Sequence, residues 1–104
     1  MFSISFPYSL FYKNFSIPYN MERIQELYGF ILSSKRREEV LKTLRKKPLR
    51  PFEIAEKTKY KAPNVSKTLF QLEKNKLVEC ITPGKKSWRV YSITELGKQV
   101  LKYK

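Results

Sequence analysis

Ile54-Ala-Glu-Lys-Thr-Lys-Tyr-Lys-Ala-Pro-Asn-Val-Ser-Lys-Thr-Leu-Phe-Gln-Leu-Glu-Lys-Asn-Lys-Leu-Val78 reads as a short helix, a tight turn at Lys59 to Lys61, and a longer helix that stops at Asn75. The longer helix is expected to start near Ala62. Pro63 is tolerated there because the first N–H groups of a helix have no intrahelical acceptor. At roughly 100° per residue, Val65, Leu69 and Leu72 share a sector of about 60°, the face a core would claim. Pro63, Lys67, Phe70 and Lys74 lie opposite, with Asn64 and Gln71 on one flank and Ser66 on the other. Ala55 is the small side chain that a close crossing of the two helices requires, since a larger one would overpack it. Tyr60 is the apolar plug of the turn, and Asn75 is expected to adopt the left-handed conformation at the helix end. Phe70 is out of character on an outward face. It would meet either a thymine methyl or another protein element, and the second is favoured.

Upstream, Ile24, Leu27, Tyr28, Ile31 and Leu32 form a helical stripe over Met21 to Leu32, weakened by Gly29. Such a helix would cover the core or supply half of a dimer contact. Ser33 and Ser34 offer an N-cap for a helix over Lys35 to Lys46, with Val40, Leu41 and Leu44 inward. Lys35, Arg36 and Arg37 occupy its first turn, where the macrodipole favours acids, so the charge there is either a phosphate contact or a solvated basic face. Lys47-Pro48 ends the helix, and Leu49 anchors the next turn of chain. Pro51 suits the first position of the next helix, with Glu53 near its positive end and Ile54 and Ala55 on its buried side.

Downstream, Leu77 to Thr82 reads as a strand, Pro83 to Lys86 as a turn and Ser87 to Ile93 as the returning strand, with Tyr91 and Ile93 on its buried face. Lys85 and Lys86 make the tip basic, and Arg89 lies beyond them in the second strand. Thr94 caps a last helix, Glu95 to Tyr103, that turns Val100 and Leu101 inward. Gly97 in its first turn implies close approach to a neighbouring backbone.

The chain has 104 residues, enough for one modest core. It divides into an extension, 1–20, and a domain, 21–104. The extension carries seven aromatic residues and a single charge, Lys13, and Pro7, Lys13, Asn14 and Pro18 interrupt any membrane-spanning run. It would pack on the domain or a partner, lie at a membrane interface, or reflect a true start at Met21. The shift in composition at Met21 favours the last, or disorder. Net charge is +13, spread over residues 35 to 104, which favours a polyanionic partner. There is no His, no Asp and one Cys, Cys80. That removes the usual general base, an intrachain disulfide and clustered metal ligands, and it suits a reducing interior. No cofactor, metal or membrane partner is expected. An enzyme would have to work with glutamates, tyrosines and lysines alone.

The order helix, helix, turn, helix, basic hairpin, helix is that of a winged helix-turn-helix: α+β, mainly α, with a three-helix core, a two-stranded β wing and a C-terminal helix. Ser33-Ser-Lys-Arg-Arg-Glu-Glu-Val-Leu41, Pro51-Phe-Glu-Ile-Ala55, Asn64 to Cys80 and Tyr91-Ser-Ile-Thr-Glu-Leu-Gly97 together resemble the small archaeal transcriptional regulators related to the ArsR and MarR families. The resemblance covers about residues 27 to 101. It implies a cytoplasmic, homodimeric regulator of double-stranded DNA that places Ala62 to Gln71 in the major groove and the wing on the adjacent backbone or minor groove. Ser66 and Lys67 match the Ser-Arg pair with which such helices touch DNA, and Arg89 matches a basic wing residue. The sequence departs from the pattern at Arg50, Lys59 and Lys61, which replace the usual helix caps and a turn glycine. The Cys-rich metal-sensing motif is absent. The expected DNA-binding set is Lys35, Arg36, Lys61, Ala62, Pro63, Asn64, Ser66, Lys67, Phe70, Gln71, Lys85, Lys86 and Arg89. Asn64, Ser66, Lys67 and Gln71 are the candidates for base edges. The rival reading is a winged-helix module for protein or RNA contact within a larger assembly.

Overall fold

The computed structural model describes residues 20–82 and 89–103. The elements are α1 (Met21–Leu32), α2 (Lys35–Thr43), α3 (Pro51–Thr58), α4 (Ala62–Lys74), β1 (Val78–Cys80), β2 (Tyr91–Ile93) and α5 (Glu95–Lys102). The wing tip, with Lys85 and Lys86, and residues 1–19 lie outside the described residues.

Four of the five helix starts are held by a side-chain hydrogen bond. Asn20, at the boundary of the extension, caps α1: its Oδ1 accepts from the N–H groups of Glu22 (2.7 Å) and Arg23 (3.3 Å). Ser34 Oγ accepts from the Arg37 N–H at 3.3 Å and opens α2. Arg50 cannot act as an acceptor cap for α3. Instead Glu53 reaches back, its Oε1 accepting from the Arg50 N–H at 2.8 Å. Lys61 gives α4 no side-chain cap. Thr94 Oγ1 accepts from the Gly97 N–H (3.0 Å) and donates to the Lys76 carbonyl (2.6 Å), so one hydroxyl starts α5 and ties it to the chain after α4.

The Arg50 N–H holds the Glu53 carboxyl below its ordinary pKa, helped by the nearby Arg50 and Lys47 charges. The native state therefore favours ionised Glu53. Its contribution is complete above the unfolded carboxylate value, about 4.3, and is lost as pH falls through the lower folded value. Glu53→Ala should flatten the acid side of the stability–pH curve while leaving its neutral-to-alkaline shape alone. Urea unfolding from pH 7 down to pH ~2.5 would show this, and parallel acid limbs for variant and parent would refute it.

Val40, Leu41, Leu44, Leu49, Ile54, Val65, Leu69, Leu72, Leu77, Val78 and Val100 are essentially inaccessible and form one core with Ile24, Leu27, Ile31 and Leu96. Each such side chain contributes roughly 1.5–3 kcal/mol by leaving water. Ala55 and Tyr60 pack against the core from its edge. β1 and β2 pair antiparallel, Val78 opposite Ile93 and Cys80 opposite Tyr91. Leu49 adds an isolated bridge to Tyr91, with reciprocal backbone hydrogen bonds of 3.0 and 2.9 Å.

Four expectations change. α2 ends at Thr43, short of Lys46, because the chain turns early to bring Leu49 to the sheet. Both strands are shorter than the apolar alternation suggested: the ladder runs over Val78–Cys80 and Tyr91–Ile93, a single backbone bond from the Ile81 N–H to the Val90 carbonyl (2.8 Å) follows it, and Ser87 and Trp88 of the expected second strand lie outside the described residues. Leu32 is 50% exposed: it is the last residue of α1, where the chain is already leaving the core. Asn75 has φ −95° and its amide donates to the Gln71 carbonyl at 3.0 Å, so the left-handed residue after α4 is Lys76, φ 64°. No helix among the described residues is long and apolar enough to cross a membrane.

Candidate nucleic-acid interface

The α3–turn–α4 unit presents α4 as a ridge. Lys59 takes the left-handed conformation (φ 69°) where a glycine would be unstrained, and this reverses the chain within three residues. Val65, Leu69 and Leu72 are buried, so rotation of α4 about its axis is fixed. Ala62, Pro63, Ser66, Lys67, Phe70 and Lys74 consequently face solvent without an acidic residue among them. Phe70 is 60% exposed, and Lys74 Nζ lies 5.5 Å from its ring centroid, a cation–π contact that partly shields it. Lys61 is exposed at the helix entry. Asn64 is half-buried on the flank.

A polar seam behind this ridge fixes its tilt. Thr68 is only 1% exposed. Its hydroxyl donates to the Asn64 carbonyl (2.9 Å) and accepts from Arg36 Nε (3.1 Å). Arg37 is more deeply engaged. Its Nη1 donates to the Phe30 carbonyl and to Ser33 Oγ, both at 2.9 Å, its Nε donates to Gln71 Oε1 at 3.2 Å, and its guanidinium stacks 4.0 Å from the Phe30 ring. One side chain thus joins the end of α1 to the last turn of α4. Tyr60 donates to Glu39 Oε1 at 2.7 Å, and that bond, with burial, pushes the phenol pKa above its ordinary value.

This arrangement sorts the expected contacts. Lys61, Ala62, Pro63, Ser66, Lys67 and Phe70 share one exposed face, with Asn64 at its edge. Lys35 is exposed at the start of α2. Arg36 and Gln71 are half-buried and hydrogen-bonded within the protein. Gln71 has its carbonyl oxygen committed to Arg37, which leaves only its amide hydrogens for a base. Arg89 is exposed beside Tyr91, whose hydroxyl favours its charged form. Sequence reasoning missed Arg37 as the link and Thr68 as its counterpart. Thr68 lies between the inner face and the flank of α4, and that intermediate position was the available signal. Among the described residues no three His, Cys, Asp or Glu groups converge as a metal site.

No family model matches the chain, and no curated protein matches it in sequence. Solved structures do match in shape. TubR from Bacillus thuringiensis serovar israelensis, bound to 24 bp of tubC, has a TM-score of 0.67 at 18% identity, covering 83% of this chain and 92% of that one. Mb0332 from Mycobacterium bovis, described as a homodimeric winged helix-turn-helix DNA-binding domain and a possible ArsR-family transcriptional regulator, has a TM-score of 0.61 at 23% identity, covering 78% and 72%. ZitR from Lactococcus lactis has 0.59 at 20% identity, covering 79% and 70%. These likenesses establish the winged helix-turn-helix fold, mainly helical with a two-stranded antiparallel sheet.

Proposed function

We propose that the protein is a sequence-specific DNA-binding transcriptional regulator, akin to the ArsR and MarR groups, acting as a homodimer in the cytoplasm without a cofactor. The observation that carries this reading is the acid-free, exposed outer face of α4, held at a fixed rotation by three buried residues and at a fixed tilt by Arg36 and Arg37. A convex helix of this kind enters a major groove some 12 Å wide. Ser66, Lys67 and Asn64 would meet base edges, Lys35, Lys61 and Arg89 would meet phosphates, and Lys85 and Lys86 would extend the clamp along the wing. The DNA-bound state of TubR and the homodimer of Mb0332 support the two parts of the proposal by analogy of fold. Half-exposed Met21 and Leu32 are the apolar side chains with which α1 would supply the dimer surface.

Selection from random duplex DNA at two salt concentrations, with the mass of the complex measured, tests this. A short, symmetric enriched motif bound by two chains is the expected result. Phe70 and Phe52, 60% and 63% exposed, favour a second reading in which α4 docks on another protein. A selection that enriches nothing would leave that reading standing.

A further inference from the structure

The end of α2 remote from α4 carries a second positive feature. Lys42, Arg45, Lys46 and Lys47 run through and past the last turn of α2, and Lys57 joins them from the last turn of α3. With Thr43 and Leu49 they line a cleft of about 330 Å³ that no residue of α4 enters. A smaller adjoining cleft, about 120 Å³, shares Arg45, Lys46 and Lys47 and adds Lys98 of α5. Positive charge is therefore continuous from α3 to α5 around the end of α2.

Lys42 is spoken for by Glu38 at 3.1 Å. Among the described residues, Arg45, Lys46, Lys47 and Lys57 have no carboxylate within ion-pair distance; the Glu53 carboxylate, which senses Lys47, is paired with Arg50. One cation per last turn answers a helix dipole, and Lys42 and Lys57 already do that. Three further cations beyond the helix end add mutual repulsion that an anion would relieve. The cleft has no aromatic lining on which a base could stack, and the Thr43 hydroxyl hydrogen is used by the Val40 carbonyl at 2.6 Å. Recognition of oxyanions by charge is the chemistry left to it.

We infer that this cleft is a phosphate-binding site separate from the α4 face, taking several linked phosphates. Two sources supply that chemistry: the backbone of DNA flanking the stretch held by α4, or a free polyphosphate. The first rests on the DNA-binding reading above, and the second does not. Arg36 and Arg37, which bond to α4, lie in the first turn of α2, and the cleft begins at Lys42 in its last turn, about 9 Å further along the helix at 1.5 Å per residue.

The test compares the full chain with its Lys46→Gln/Lys47→Gln/Lys57→Gln variant, all three being exposed positions whose matched thermal melts would confirm an intact fold. Each protein is titrated with inorganic tripolyphosphate, and its affinity for a selected duplex is followed against salt, using a minimal site and the same site extended by about one turn on each side. If flanking DNA is the ligand, the variant should lose about 2–3 units of log–log salt slope on the extended duplex and none on the minimal one. If a free polyphosphate is the ligand, tripolyphosphate affinity should fall at least ~10-fold, the loss of more than 1.4 kcal/mol, with both slopes unchanged. Equal slope losses at both lengths would place these lysines in the primary interface and overturn a separate site. Unchanged slopes with unchanged or absent tripolyphosphate binding would overturn it as well. Should the parent chain bind no DNA at all, the regulator proposal falls while the tripolyphosphate arm still judges the cleft.

Discussion

Gly97→Ala should destabilise the domain by about 2–3 kcal/mol, the cost of forcing a methyl group into a packed site. A Cβ at this position would overlap the Leu77 carbonyl oxygen and lie 2.7 Å from Ile93 Cγ1. The first neighbour is backbone and already accepts the Thr94 N–H at 3.0 Å, so it cannot move without giving up a hydrogen bond. The second belongs to β2, and moving it disturbs the pairing with Val78. Alanine would otherwise gain up to about 1 kcal/mol over glycine inside a helix, so a net loss isolates the close approach. Gly29 provides the contrast: a Cβ added there would have nothing within 4 Å, and Gly29→Ala should be neutral or stabilising. Urea unfolding of both variants decides the matter. A Gly97→Ala protein as stable as its parent would mean that α5 sits further from the sheet than the structure places it.

Much of this architecture was readable because it depends on local chemistry. Ser34 and Thr94 announced helix starts, and the spacing of Val65, Leu69 and Leu72 announced which face of α4 is buried. Gly97 announced the close approach of α5 to a neighbouring backbone, which proves to be that of Leu77. The features that escaped reading depend on where distant segments meet. Leu49 was recognisable as an anchor, but its bridge to Tyr91 spans 42 residues of sequence and leaves no periodic mark. Arg37 looked like its neighbours Lys35 and Arg36. Only the position of the Phe30 carbonyl and Gln71 separates a hydrogen-bonded, half-buried strut from a free cation. The same limit applies to Arg45, Lys46 and Lys47, which read as a helix tail until Lys57 is seen beside them. At Asn75 the general preference of asparagine for the left-handed region lost to a side-chain bond with the Gln71 carbonyl, and the strained conformation passed to Lys76.

The candidate interface stands or falls on Lys67. It lies in the middle of the exposed face of α4, is exposed, and makes no ion pair among the described residues. If its ammonium donates to guanine O6 and N7, Lys67→Ala should weaken binding to the selected site by about 1–3 kcal/mol, roughly 5- to 150-fold, and relax preference at one base pair. A phosphate contact predicts something different: a uniform loss on all sequences and a salt slope smaller by about 1. Measuring affinity for the selected site and for its single-base variants at two salt concentrations separates the two outcomes. The buried face makes the experiment interpretable, because Val65, Leu69 and Leu72 hold α4 from the side away from Lys67, and truncating an exposed lysine leaves them untouched. Full affinity, unchanged preference and an unchanged slope would mean that α4 is not the DNA reader. Exposed Phe70 would then be the residue around which a protein-docking role for the same helix should be sought.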